Sequence, residues 1–232
     1  MVESVVKEGW RAGEMTSRGK VVQRAKRGSY DPEGTHTDIM AAGLQLFSEA
    51  GFAATTVQAV ADRANVTKGA FYHHFESKED LLRQIHSEYA VEILNSARSV
   101  SESGLSPLEQ LRMLIKNAVV LFAKYRAHVA VFYQEFRFLS GSPFSSIRRM
   151  HDDEEAILLD IVARGKAAGQ FREDVDTKLL VFAISGVTAW IYQWYTPQGP
   201  MAIDDIADGL ADIILVGATT ESARKELGES EG

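Results

Sequence analysis

The feature that most constrains the fold is a series of helix-capping residues that divides residues 35–82 into short helices. Thr55-Thr56, Thr67 and Ser77 each precede a helix-favouring segment, and their hydroxyl oxygens can accept a backbone N–H at a helix start. Gly51 and Asn65 suit helix ends. The pattern predicts a first helix from Thr35 to residue 50, a short second helix over 57–64, a third over 68–75 and a long one from Lys78 to about Ser101.

Three helices with a short second member and a tight turn into the third are typical of helix-turn-helix proteins. The third segment is amphipathic, and Phe71 and Phe75 are expected to pack inward. Gly69 and Ala70 keep its outer surface low, so that its backbone can approach a groove closely. The outward residues carry hydroxyls, an ammonium and an imidazole, which suit phosphate and base-edge contacts; they are Thr67, Lys68, Tyr72 and His73.

Residues 41–82, AAGLQLFSEAGFAATTVQAVADRANVTKGAFYHHFESKEDLL, resemble the DNA-binding domain of TetR-type transcriptional regulators almost throughout. The resemblance rests on F-x-x-x-G-F/Y-x-x-T-T, V-x-x-V/I-A-x-x-A-x-V and T/S-K-G-x-F/Y-Y-x-H-F-x-S-K-E-x-L. It implies an all-α fold, with an N-terminal three-helix DNA-binding domain and a larger helical domain that dimerises and holds a ligand. The DNA contacts that it implies are Thr56, Thr67, Lys68, Gly69, Tyr72, His73 and Lys78. Among these, Tyr72 and Lys78 are expected to clamp phosphates, and Lys68 and His73 to lie nearest the bases.

Charge is distributed unevenly along this chain of 232 residues and net charge −7. Residues 18–83 carry nine Lys/Arg against eight Asp/Glu, whereas residues 84–232 carry fourteen against twenty-one. This asymmetry permits a DNA-binding module at the N-terminal end but argues against a protein that coats nucleic acid generally. An acid-free stretch within residues 1–34 predicts either a disordered tail or an arm that contacts DNA; it contains Arg18, Lys20, Arg24, Lys26 and Arg27.

Further helical segments follow the long helix, bounded by glycine and proline; they are 107–125, 128–139, 144–168, 176–195 and 203–216. The last two are apolar on more than one face and therefore need partners on more than one side. Two copies of each could form a four-helix bundle in a homodimer, as the resemblance implies, or they could be the buried core of a monomer. The expected domains are a flexible basic arm (1–34), a helix-turn-helix domain (35–80), a ligand-binding and dimerisation domain (81–220) and a tail (221–232).

Aromatic and apolar side chains of the second half could line a cavity between helices or could simply be core. The candidates are Phe122, Tyr125, Phe132, Tyr133, Phe136, Met150, Trp190 and Trp194. The run from Gly165 to Leu215 is similar to the TetR-type regulators of fatty-acid and steroid catabolism, which implies an acyl-coenzyme A effector. Gln193 and Thr196 stand where that subgroup often has basic residues, and Arg137, Arg148 and Arg149 could supply cations instead.

Catalytic and metal-binding patterns are missing from the sequence. It has no cysteine, and no zinc-protease motif, nucleophile elbow or phosphate-binding glycine loop appears. His73 and His74 point about 100° apart on a helix, and residues 151–155 (HDDEE) are expected to be a solvated acidic face. We therefore expect no enzyme, cofactor or metal, and a cytoplasmic location. The predicted function is a ligand-released homodimeric repressor that binds a palindromic operator; the alternative is a helical scaffold that never binds DNA.

Overall fold

The computed structural model describes residues 32–135, 144–223 and 225. Several expectations fall outside these ranges, namely those on the basic arm, Phe136, Arg137 and most of the tail. From Glu33 onward the described residues belong to one compact unit. They form an all-α structure, as predicted, in which Phe171 and Thr219 make an isolated antiparallel bridge. No helix among them combines the length and apolar character needed to span a membrane.

The first four helices are α1 (Pro32–Ala50), α2 (Val57–Arg63), α3 (Lys68–His74) and α4 (Lys78–Ser101). The predicted caps are confirmed, because the hydroxyls of Thr56, Thr67 and Ser77 accept backbone N–H groups at the starts of α2, α3 and α4. Helix α1 begins three residues before the predicted start. The predicted domain boundary at residue 80 lies inside α4.

Two residues in left-handed backbone conformations end α1 and α2. Gly51 (φ 81°) donates its N–H to the Phe47 carbonyl, and Asn65 (φ 55°) follows α2. Glycine and asparagine accept this conformation at little steric cost, as their predicted roles at helix ends require. These turns set the direction of α2 relative to α1 and of α3 relative to α2.

The second half contains α5 (Pro107–Lys124), α6 (Arg126–Glu135), α7 (Ser145–Ala167), α8 (Thr177–Ala189), α9 (Ile191–Trp194) and α10 (Ile203–Ala218). Ser106 and Glu109 cap α5 reciprocally, and Pro107 occupies its first turn. The single helix predicted over 176–195 is instead divided at Trp190, which ends α8 and precedes the one-turn α9. In the part of the chain that the structure describes, α6 ends at Glu135.

One hydrophobic cluster joins the three-helix unit (α1–α3) to the later helices. Its buried residues are Ile39, Met40, Ala42, Phe47, Phe52, Val60, Phe71, Phe75, Leu81, Leu82, Ile85, Val131, Phe132, Phe144 and Ile147. A buried polar contact crosses the same boundary, since Glu135 on α6 accepts the Phe52 N–H at 2.9 Å. The three-helix unit is therefore held by α4, α6 and the start of α7 together.

A second cluster lies at the far end of α4 and is contributed by α4, α5, α7, α8 and α10. Helices α4 and α7 pack along each other, as do α5 and α10. Outside this core, α8, α10 and their surroundings leave large apolar side chains exposed, and these are Leu179, Phe182, Val187, Trp190, Trp194, Met201, Ile213 and Val216. Exposed apolar side chains in this number are expected at an interaction surface.

Candidate nucleic-acid interface and cavity

Helix α3 presents a polar outer face on a firmly packed support. Phe71 and Phe75 are fully buried, as predicted, whereas the half-exposed ring of Tyr72 points outward with the Lys68 ammonium 5.9 Å from its centre. Every residue predicted to face outward is exposed, namely Thr67, Lys68, Tyr72 and His73, and so is Gly69. The outer face of α3 is therefore accessible to solvent.

Thr56 and Thr67 occupy equivalent positions at the starts of α2 and α3. The Thr56 hydroxyl accepts the Ala59 N–H, and the Thr67 hydroxyl accepts the Ala70 N–H, both at 3.1 Å. Both residues are exposed, so each hydroxyl can still donate its own proton outward. The caps fix the helix starts and leave a donor on the surface.

Lys78 occupies a different place from the one expected of a phosphate clamp. Its ammonium donates to the Phe52 and Thr55 carbonyls, at 2.7 Å each, and lies 4.3 Å from the centre of the Phe52 ring. Two of its three N–H groups are thus used inside the protein. The side chain ties the start of α4 to the turn between α1 and α2 and so has a positioning role. Its contact with DNA stays a prediction.

A cavity of about 240 Å³ lies among α4, α5, α6, α7 and α8. Apolar side chains form most of its wall, including Ile93, Leu114, Leu158 and Val181. Polar groups cluster where α4, α6 and α7 meet, at Tyr89, Tyr133, His151, Glu154 and Glu155. The cavity thus touches α4, the helix that continues directly from the three-helix unit.

The predicted ligand-contacting residues divide into two groups. Phe122, Phe132 and Tyr133 line the cavity. Four others lie outside it: Tyr125 donates its hydroxyl to Glu92, Met150 packs against the core of the three-helix unit, and Trp190 and Trp194 are exposed. Aromatic or apolar character predicted these four, and it does not distinguish a cavity wall from core or surface.

The acidic stretch 151–155 is only partly the solvated face expected of it. Asp152 and Asp153 are exposed, but His151 and Glu154 turn inward and line the cavity. The sequence contained a signal for this, because Ile147, His151, Glu154 and Leu158 follow the spacing of one helix face. Two apolar members of that face, Ile147 and Leu158, are buried.

Burial controls the ionisation of the polar groups around the cavity. It raises the pKa of Glu154 to about 7, with Glu155 adding repulsion, and it lowers the pKa of His151. Next to His151, burial lowers the pKa of His86 to about 2, helped by His151 and His128. Charge of either sign is therefore disfavoured at this end of the cavity.

His86 and His151 are joined by a contact of 3.0 Å between their Nε2 atoms, so one ring donates and the other accepts. His86 belongs to α4 and stacks on Phe132, whose ring lines the cavity. A direct chain of contacts thus links the cavity wall to α4. Among the described residues, no group of three His, Cys, Asp or Glu side chains could hold a metal ion.

A capped helix with an exposed polar face, supported by two further helices and followed by a helical body with an internal cavity, is typical of a helix-turn-helix regulator. Comparison with known proteins gives the same class. Residues 39–85 match the model of the bacterial regulatory proteins of the tetR family, and residues 104–218 match a tetracyclin repressor-like C-terminal domain. The chain belongs to the tetR family.

Individual relatives extend this result over most of the chain. The HTH-type transcriptional repressor KstR2 of Mycobacterium tuberculosis is 29% identical over 79% of this chain and 92% of its own. The solved structure of KstR2, a ketosteroid transcriptional regulator, superposes with a TM-score of 0.74, at 28% identity over 80% of this chain and 95% of its own.

Two other solved structures share the fold. The TetR family regulator PfmR of Thermus thermophilus is 30% identical over 77% of this chain and 97% of its own, with a TM-score of 0.70. AibR, solved in complex with isovaleryl coenzyme A and operator DNA, is 24% identical over 77% of this chain and 97% of its own, with a TM-score of 0.68. At that identity the likeness to AibR concerns the fold alone.

Proposed function

We propose that this protein is a homodimeric, cytoplasmic transcriptional repressor that leaves a palindromic operator when an acyl-coenzyme A or a similar lipophilic metabolite occupies its cavity. The observation that carries the proposal is the exposed polar face of α3, supported on a core that continues into the cavity-bearing helices. Membership of a family of repressors supports the same conclusion, and makes both an enzyme and a scaffold without DNA binding the weaker alternatives.

DNA recognition is assigned to the exposed residues of the three-helix unit. In the dimer, two copies of α3 would enter successive major grooves about 34 Å apart. Lys68 and His73 would lie nearest the bases, while Tyr72 and the exposed hydroxyls of Thr56 and Thr67 would contact phosphates, with Gly69 allowing close approach. Lys78 is left out of this set, because its ammonium binds two carbonyls of the protein.

The contact with the second copy of the chain is assigned to the exposed apolar surface of α8 and α10. Leu179 and Ile213 expose 67% and 72% of their surface in the single chain, an unfavourable arrangement that a partner would relieve. Pairing of these helices in a four-helix bundle would place the two three-helix units at a fixed separation. That separation is what an operator with two half-sites requires.

Release by an effector requires the effector to prefer the conformation that does not bind DNA, since equal affinity for both conformations would shift nothing. The cavity supports such coupling, because Tyr89 on α4 and Phe132 on α6 line it and both helices hold the three-helix unit. A ligand that separates α4 from α6 would turn α4 and change the distance between the two copies of α3. The acyl-coenzyme A class is supported by the resemblance in residues 165–215.

The test is a mobility-shift assay with the DNA upstream of the protein's own gene, with and without a panel of acyl-coenzyme A thioesters. We expect retarded DNA, its release by one member of the panel, and loss of binding when Lys68 and Tyr72 are both replaced by alanine. The matched control is Arg98→Met, an exposed cation at the other end of α4, about 30 Å from Lys78 along the helix. Binding that survives the double substitution would disprove the assignment of α3.

A further inference from the structure

The polar end of the cavity contains carboxyl groups and no opposing cation. Glu154 and Glu155 line it, and no lysine or arginine does so among the described lining residues. A ligand carboxylate in this space would approach a like charge in apolar surroundings, without the pairing that a buried ion needs. The cavity is thus unsuited to an anionic group, so the phosphates of a coenzyme A effector would have to remain outside it.

A cationic group fits poorly for a second reason. Burial keeps His151 and His86 neutral, and raises the pKa of Glu154 so that about half of its carboxyl groups are protonated near pH 7. The same surroundings would favour loss of a proton from a buried ammonium group. Neutral hydrogen-bonding groups are the ones that this end of the cavity accommodates best.

The geometry leaves a position for one such group. His151 Nδ1 and Glu154 Oε2 are 3.9 Å apart, too far for a direct hydrogen bond, while the Nε2 atom of His151 is already bonded to His86. Two polar groups at this separation are commonly bridged by an oxygen atom that hydrogen-bonds to both. A hydroxyl can donate to one and accept from the other, and a ketone can accept from either.

The cavity volume limits the size of what it holds. A dry protein cavity of about 150 Å³ accepts benzene, with its six carbon atoms. In proportion, the volume of about 240 Å³ here takes roughly ten non-hydrogen atoms. That is enough for a short chain or a small ring system carrying one oxygen function.

We propose that the cavity selects an apolar group of about this size that carries an uncharged oxygen, an alcohol or a ketone, and that His151 and Glu154 are the specificity-determining residues that bind this oxygen and exclude a carboxylate. The inference rests on the proposed role of the cavity as the effector site. Direct ligand binding tests it without DNA, so its failure is distinguishable from failure of the repressor assignment.

The experiment is isothermal titration of the purified full-length protein at pH 8 with octan-2-ol, octan-2-one, octanoate and octylamine, which share one chain length and differ in the end group. We expect both neutral compounds to bind at least about tenfold more tightly than octanoate, since a like-charge contact of a few ångströms exceeds 1.4 kcal/mol. Glu154→Gln should reduce the preference for octan-2-ol over octanoate about tenfold. Asp160→Asn, which alters an exposed acid of the same helix, should leave it unchanged.

Three results would overturn the inference. If octanoate bound to the unmodified protein as tightly as octan-2-ol, Glu154 and Glu155 would not exclude a carboxylate from the cavity. Tighter binding of octylamine would make this a cation site, and no binding of any of the four compounds would show that the cavity does not accept the class. If selectivity holds while no acyl-coenzyme A releases operator DNA, the cavity assignment stands and the proposed effector is wrong.

Discussion

Replacing Lys78 with methionine tests whether this side chain holds the protein together or contacts DNA. Methionine keeps an unbranched apolar stem but removes the ammonium that donates to the Phe52 and Thr55 carbonyls. Hydrogen bonds from a charged donor contribute about 1.5–3 kcal/mol each, and the contact with the Phe52 ring adds up to about 1 kcal/mol. Because Lys78 is only half-buried, we expect a total loss of about 2–4 kcal/mol.

Two measurements on the same variant separate the two roles. A loss of this size lowers the thermal midpoint of a chain of this length by roughly 10 °C. The dependence of operator affinity on salt should stay the same, because no phosphate contact is removed. Loss of one phosphate contact from each protomer of the dimer would instead reduce the slope of log affinity against log salt by about 1.8, which is about 0.9 for each contact.

Lys68→Met is the matched control, since Lys68 lies on the exposed face of α3. It should leave the thermal midpoint nearly unchanged and weaken operator binding. The reasoning would be refuted if Lys78→Met also kept normal stability and weakened operator binding, with a reduced salt slope. Lys78 would then be a phosphate contact.

Three further substitutions test the dimer surface, the core and the cavity. Ile213→Glu should give a monomer in analytical ultracentrifugation, and an unchanged dimer would remove this position from the interface. Gly165→Ala places a Cβ atom 2.2 Å from the buried Phe171 ring and should lower the unfolding free energy in urea by at least about 1 kcal/mol; an unchanged midpoint would contradict this contact. The Glu154→Gln variant should gain stability relative to the unmodified protein as pH rises from 4.5 to about 7. Folding raises the pKa of the Glu154 carboxyl, so the unmodified protein loses folding stability across that range, whereas the variant has no group there to ionise. A pH-independent difference in chemical denaturation would contradict the raised pKa.

Local signals predicted the three-helix unit well. Thr56, Thr67 and Ser77 cap the helices expected of them, and Asn65 adopts the left-handed conformation expected at the end of α2. A capping residue acts within about four positions of itself, so the information needed lies in the neighbouring sequence. The exposure of the α3 outer face follows from the same short-range pattern.

Contacts between distant segments were harder to predict. Lys78 reaches the Phe52 carbonyl across 26 positions, which depends on where the turn after α1 lies in space. Trp190 and Trp194 have the composition of a cavity wall but lie on the surface, and Glu154 has the composition of a solvated run but lines the cavity. Residue type leaves these alternatives open, and only the packing of whole helices decides between them.

The core that α1–α3 share with α6 and α7 restricts which chimeras between this protein and its relatives can fold. Val131, Phe144 and Ile147 bury their side chains against the three-helix unit, and Glu135 bonds to Phe52. A chimera that joins this three-helix unit to the body of a relative at the start of α4 would pair it with surfaces shaped for another sequence. Transplanting the DNA specificity of this protein therefore requires grafting the inward faces of α4 up to Ile85, of α6 and of the first turn of α7 along with residues 32–77.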